Sequence, residues 1–335
     1  MLRRVYFALV TLIIVAIAGW FALKRSDIPY PALETVYMTE ASNFITLEDG
    51  LKLHYRDEGN PDGQAVVLVH GFSASTQTWD PLISELKDEY RLISIDLPSH
   101  GLSRAPYKPE TTGMPVFEKS FGEFVDRLGI EDFVLAGSSM GGDLAWRYAR
   151  DNPSKLDGLI LIGAAGWAIS EEDAGDQSLV FKLLENPFAR RILRDIDTSS
   201  LMESGLEASF SNPEFVTDEM VDRYISLSRA PGHRAGMMAL LAEERSPATY
   251  TQLADLRTPT LVLHGDEDNL VPVSSGRKFA EALPNAQLVV YEETGHLPHE
   301  ERVTEVSAHF KAFINELGQD PSQDVSAALA AGLQP

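Results

Sequence analysis

Six short runs punctuate the chain: AVVLVHG (65–71), RLISIDL (91–97), FVLAG (133–137), LDGLILIG (156–163), PTLVLHGDED (259–268) and QLVVYEETGH (287–296). Their apolar residues are consecutive rather than alternate. A strand with one wet face alternates, so continuous apolar runs imply burial on both faces, as in a parallel sheet sheathed by helices. The amphipathic stretches TWDPLISELKDEY (78–90) and PVFEKSFGEFVDRLGI (115–130) supply such helices. Ahead of them, FITLEDGLKLHYRDEG (44–59) alternates on either side of Asp49-Gly50, a hairpin signal. The expected class is therefore α/β, a doubly wound, mostly parallel sheet with helices on both faces.

The 335 residues suffice for one large domain of this kind. Residues 167–248 break the alternation with SLVFKLLENPFARRILRDI (178–196), TDEMVDRYISLSR (217–229) and HRAGMMALLAEE (233–244), which read as an inserted helical cap. The core is then 44–166 together with 249–316. Residues 26–43, with two prolines, read as a linker, and the small, polar residues 317–335 as a mobile tail.

The amino terminus differs from everything after it. MLRR precedes VYFALVTLIIVAIAGWFAL (5–23), which carries no charge, and KR follows. Nineteen residues at a helical rise span roughly 28 Å, close to the hydrocarbon thickness of a bilayer. Tyr6 and Trp20 suit its interfaces. Ala16-Ile17-Ala18 resembles a signal-peptidase site, which gives the alternative of a secreted protein. The apolar run continues beyond it, which favours an uncleaved anchor over residues 1–25. Arg3 and Arg4 against Lys24, Arg25 and Asp27 place the main domain in the periplasm or otherwise outside the cytoplasm. A net charge of −22 argues against a nucleic-acid partner. With no cysteine, no metal-ligand spacing and no phosphate-loop pattern, no metal or cofactor is expected.

FVLAGSSMGG places two serines between glycines. Only Ser139 has glycine two positions before it (Gly137) and two after it (Gly141), as a serine on a sharp strand-to-helix turn requires. A hydroxyl needs a base to take its proton and a third group to orient that base. The loops after later strands supply them. Asp268 is preferred to Asp266 and Glu267, and His296, directly after Gly295, to His299. The backbone N–H groups of Met140, opening a helix, and of Phe72, just past His70-Gly71, would then form an oxyanion hole. Losing one such donor typically costs about 3–4 kcal/mol of transition-state stabilisation.

HGF (70–72), DLPSHGLS (96–103), GSSMGG (137–142), HGDEDNLVP (264–272) and GHLPHEE (295–301) together resemble the α/β-hydrolase superfamily over residues 44–316. The likeness is greatest to bacterial esterases and lipases and to membrane-anchored monoacylglycerol lipases. It implies an eight-stranded sheet, a Ser139–Asp268–His296 triad, and Phe72 and Met140 as oxyanion donors. Ser99 departs from the pattern, where a glycine with positive φ is usual. Trp167, Val271 and Leu297 are the expected pocket walls. The function these features predict is carboxylic ester hydrolysis on medium-chain or lipid-like esters. The alternatives are a carbon–carbon bond hydrolase of ring-fission products, whose glycine-rich oxyanion loop HGFSAS lacks, and a catalytically silent receptor on the same fold.

Overall fold

A computed structural model describes residues 2–168 and 186–318. The hairpin forms first in the chain order, β1 (Ser42–Thr46) antiparallel to β2 (Lys52–Gly59). Gly50 closes its loop at φ 83°, a conformation that glycine adopts without a Cβ penalty. The apolar runs become β3 (Ala65–Val69), β4 (Arg91–Ile95), β5 (Phe133–Ser138), β6 (Leu156–Ile162), β7 (Thr260–Gly265) and β8 (Ala286–Tyr291). The eight strands lie in the order β1-β2-β4-β3-β5-β6-β7-β8, and from β4 to β8 all neighbours are parallel.

Side-chain alternation along the strands divides the core in two. Val67 and Val69 of β3 face α4 (Met114–Leu128), α5 (Met140–Asp151) and α10 (Val273–Ala282), among Phe117, Trp146 and Phe279. Val66 and Leu68 face α3 (Asp80–Leu86) and α11 (Val303–Leu317), among Leu82, Phe310 and Phe313. Each such side chain contributes about 1.5–3 kcal/mol by leaving water, which explains why both faces had to be apolar.

Strand order also locates the site. From β3 the chain steps to one side for β4 and to the other for β5. The loops leaving β3 and β5 therefore diverge and open a crevice at the carboxyl ends of the strands.

Two segments differ from what their sequences suggest. Within the expected linker, α2 (Tyr30–Tyr37) begins beside Pro31 and buries Leu33 against Leu102, Leu227 and Ala230. Prolines at 29 and 31 suit a helix start as well as a linker, and only the tertiary contact distinguishes them. The cap supplies α6 (Pro187–Leu193), α7 (Ser199–Glu207), α8 (Asp218–Ser228) and α9 (His233–Leu240); Phe181 and Leu184 of its first stretch, and the tail from 319, lie outside the described residues. The base of the cap is pinned where the Ala248 N–H donates to the Gly166 carbonyl at 2.7 Å.

At the amino end, α1 (Leu2–Leu23) reaches a mean hydropathy of 2.4 over an 18-residue stretch within Arg3–Leu23, long and apolar enough to cross a bilayer. The chain just beyond it is stitched to the cap. Lys24 forms an antiparallel bridge with Ile196, the Arg25 N–H donates to Asp195 O at 2.9 Å, and the Arg25 guanidinium pairs with Asp197 at 2.8 Å.

Candidate active site

Ser139 sits between the end of β5 and the start of α5 with φ 54° and ψ −118°. That region is sparsely populated for L-residues, at a cost of about 1–3 kcal/mol, and persists only where surroundings enforce it. Here they do: the Ser139 N–H donates to Ile162 O at 2.9 Å, and its carbonyl accepts from the N–H groups of Gly142, Asp143 and Ala165 at 3.0–3.1 Å. A Cβ on Gly137 would lie 2.3 Å from Gly141 O, and one on Gly141 would lie 2.2 Å from Val69 O. Backbone against backbone thus dictates both flanking glycines. Ser138, by contrast, is buried in β5, and its hydroxyl has no partner among the described residues.

Asp268 and His296 meet beyond β7 and β8. His296 Nδ1 lies 2.7 Å from Asp268 Oδ2, while Asp268 Oδ1 accepts the N–H groups of Leu270 (2.9 Å) and Val271 (2.8 Å). Burial by itself would raise the Asp268 carboxyl. The facing His296 imidazole, with hydrogen bonds from His264 and His296, overcomes it and holds the group well below the usual carboxylate range. His296 is fixed from the backbone side too, its N–H donating to Ser209 O of the cap at 2.8 Å. Glu301 reinforces that link, accepting from the Gly295 N–H and from Ser211.

Ser139 and His296 line the same cavity, of about 330 Å³. The link between them runs through the end of β6: Ile162 holds the Ser139 N–H, and a Cβ on Gly163 next to it would lie 3.2 Å from His296 Nδ1. The described contacts include no Ser139–His296 hydrogen bond; such bonds commonly tighten only when substrate enters.

The loop after β3, expected to carry an oxyanion donor, is oriented by His70. Its Nε2 accepts the Leu97 N–H at 3.0 Å, so the ring proton is on Nδ1, which donates to Gly71 O at 2.7 Å. Across a planar trans peptide the carbonyl and the following N–H point in opposite directions. Fixing Gly71 O on His70 therefore aims the Phe72 N–H the other way. Gly71 itself abuts Ser139, a Cβ there lying 3.0 Å from Ser139 Cβ. Met140 opens α5, where its N–H has no intrahelical acceptor.

The pocket residues divide. Leu297 lines the cavity. Trp167 does not; its ring packs on Tyr250 and Phe279, 5.0 and 5.6 Å between centroids. Val271 does not line the cavity either: its carbonyl holds His264 Nε2 at 2.8 Å, and Leu270 beside it takes the lining position. His264 joins this group without having been expected from sequence as a site residue. Besides Val271 O, its Nε2 reaches Asp268 Oδ2 at 3.1 Å, so Asp268 touches two imidazoles. Its position four residues before Asp268 was the available signal. Asp143 is buried and paired with Arg147 at 2.8 Å, a structural role. Ser99 keeps the left-handed conformation (φ 66°) without being glycine, its hydroxyl 2.9 Å from that of Thr112.

Residues 64–303 match the alpha/beta hydrolase fold family, and the chain belongs to it. A 2-hydroxy-6-oxononadienedioate/2-hydroxy-6-oxononatrienedioate hydrolase of Comamonas testosteroni is 31% identical over 76% of this chain and 90% of its own length. A monoacylglycerol lipase of Xenopus laevis is 27% identical over 79% of this chain and 80% of its own. Among solved structures, a thermophilic esterase from Thermogutta terrifontis superposes with a TM-score of 0.67 at 28% identity, over 83% of this chain and 99% of that one. The protein is an α/β-hydrolase, with both ester and carbon–carbon bond hydrolases among its relatives.

Proposed function

We propose that the protein is a serine carboxylic ester hydrolase acting on medium-chain or lipid-like esters. The observation that carries this is the short His296–Asp268 contact beside a strained Ser139 on one apolar cavity. In the reaction, Ser139 Oγ bonds to the ester carbonyl carbon as its proton passes to His296 Nε2. Asp268 holds the Nδ1 proton and the positive charge that forms on the ring. The carbonyl oxygen, now an anion, accepts from the Phe72 and Met140 N–H groups. Collapse releases the alcohol with the proton from His296, and water repeats the sequence on the acyl-enzyme.

The cavity wall supports an apolar chain. Thr198, Leu201, Met202, Gly205, Leu206 and Ser209 recur at helical spacing and present one face of α7 and its flanks to the cavity. From Ser209, which holds His296, to Thr198 is about 16 Å at helical rise. That length accommodates a medium acyl chain, each methylene of which contributes about 0.8 kcal/mol on burial. An α1 anchored in a bilayer would keep the enzyme where such esters partition.

The Comamonas relative supports a second reading, carbon–carbon bond hydrolysis. A panel of p-nitrophenyl esters of rising chain length, run beside a vinylogous 1,5-diketone acid on wild type and Ser139→Ala, decides between them. Rising kcat/KM with ester chain length, abolished by Ser139→Ala, is the expected result. Turnover of the diketone alone rejects the ester reading, and equal ester turnover by both proteins rejects the serine mechanism.

A further inference from the structure

The cavity is not apolar throughout. Along α9 its wall consists of Arg234, Met237, Met238 and Leu241, the i, i+3, i+4 and i+7 positions of one helix face. Met237 Sδ lies 4.0 Å from the Ser73 hydroxyl, next to the oxyanion loop. Arg234 is one turn away, at the end where Thr198 begins the α7 face; Arg234, Thr198 and Ser228 also border a small adjoining cavity.

The Arg234 guanidinium is only half used. Its Nη2 donates to Arg25 O at 2.8 Å and to Asp27 Oδ1 at 2.7 Å. Its Nη1 is buried and has no hydrogen-bond partner among the described residues. Native structures leave few buried donors without an acceptor, and fewer charged ones. The nearby Thr198 hydroxyl is free of any capping bond to α7. Asp27 is about half exposed (48%), so water screens its charge, and Asp195, another carboxylate in the field of Arg234, has both oxygens held by Arg194; Arg234, only 13% exposed, keeps its pull on a further anion.

We propose that this end of the cavity is a subsite for an acidic group, a carboxylate or a phosphate monoester, carried on a single apolar chain. The acid would accept from Arg234 Nη1 and the Thr198 hydroxyl, while its chain lies between the α7 and α9 faces toward Ser139. This deepens the proposed ester hydrolase by naming the kind of amphiphile its cavity holds, and rests on that reading for the chain's direction.

The test uses the full chain in detergent carrying Ser139→Ala, with octanoate, octyl phosphate and octanol titrated by calorimetry. The expected result is that one or both acids bind at least tenfold more tightly than octanol, and which acid gains identifies the head group. Arg234→Gln should erase that preference and leave octanol unchanged, and Arg234→Lys should restore part of it. Asp27→Asn loosens the same contact with the segment after α1 but keeps the guanidinium, so the preference should survive it. Equal affinity for all three ligands, binding by none, or a preference that persists in Arg234→Gln overturns the proposal. Failure of the hydrolase reading is seen separately, as a Ser139 that a fluorophosphonate probe does not label.

Discussion

Ser139→Gly should yield a dead but more stable protein, and the size of the gain follows from the backbone. At φ 54° and ψ −118° an L-residue carries about 1–3 kcal/mol of strain that glycine does not. Against this, glycine has a more flexible unfolded state, which takes back about 0.5–1 kcal/mol. The net expectation is a stabilisation of about 1–2 kcal/mol. Ser139→Ala provides the control, since it removes the hydroxyl but keeps the Cβ and with it the strained conformation. For a chain of this size a kcal/mol moves Tm by about 2 °C. Thermal unfolding of the full chain in detergent, followed by circular dichroism, should therefore place Ser139→Gly about 2–4 °C above Ser139→Ala. A glycine variant melting at or below the alanine variant would show that the turn is not strained at Ser139.

Further expectations bear on charge, packing and the flanking positions. Asp268→Asn leaves the shape intact but loses the acceptor that holds the His296 tautomer, and kcat/KM should fall by about 10⁴; a loss under tenfold would remove Asp268 from the mechanism. Burial pushes Glu300 up from 4.5 to about 7 despite its bond to Thr78. The folded chain thus holds a proton that the unfolded chain has released between pH 4.5 and 7, so this contribution to stability is full in acid and lost as pH rises through 7. Glu300→Gln should flatten the fall of Tm between pH 5 and pH 8, and an unchanged slope would count against it. A Cβ on Gly141 meets Val69 O, so Gly141→Ala should abolish soluble expression, whereas Gly122 in α4 has nothing within 4 Å and Gly122→Ala should stabilise by about 0.5–1 kcal/mol. Trp167→Ala should lower Tm and leave chain-length preference alone, while Met237→Ala, on the cavity wall, should shift that preference toward longer acyl groups; the reverse pattern would return Trp167 to the pocket.

Much of this protein is written locally. Strands buried on both faces must be apolar at every position, so the six runs announced the sheet. The glycines at 137 and 141 announced the serine between them, because a close backbone approach excludes a Cβ whatever the rest of the fold does. Asp268 and His296 were legible from their loops, each just past a strand end. Ser99 shows the limit of such rules: the loop keeps its left-handed turn at a serine, whose hydroxyl bonds Thr112.

Side-chain direction was not legible. Trp167 follows β6 closely enough to reach the site, yet packs on Tyr250 and Phe279. Leu270 rather than Val271 lines the cavity because the Val271 backbone is held by His264 and Asp268. Residues 30–37 are a helix because Leu33 finds a buried site more than sixty residues away in sequence. Arg234 and Asp27 are partners across 207 positions. Sequence alone determined the strand pattern, the sharp turn at Ser139 and the placing of Asp268 and His296 just past strand ends, since each depends on neighbours along the chain. Which side chains share a cavity was decided only by the tertiary structure, because it depends on elements that the fold, and not the chain, brings together.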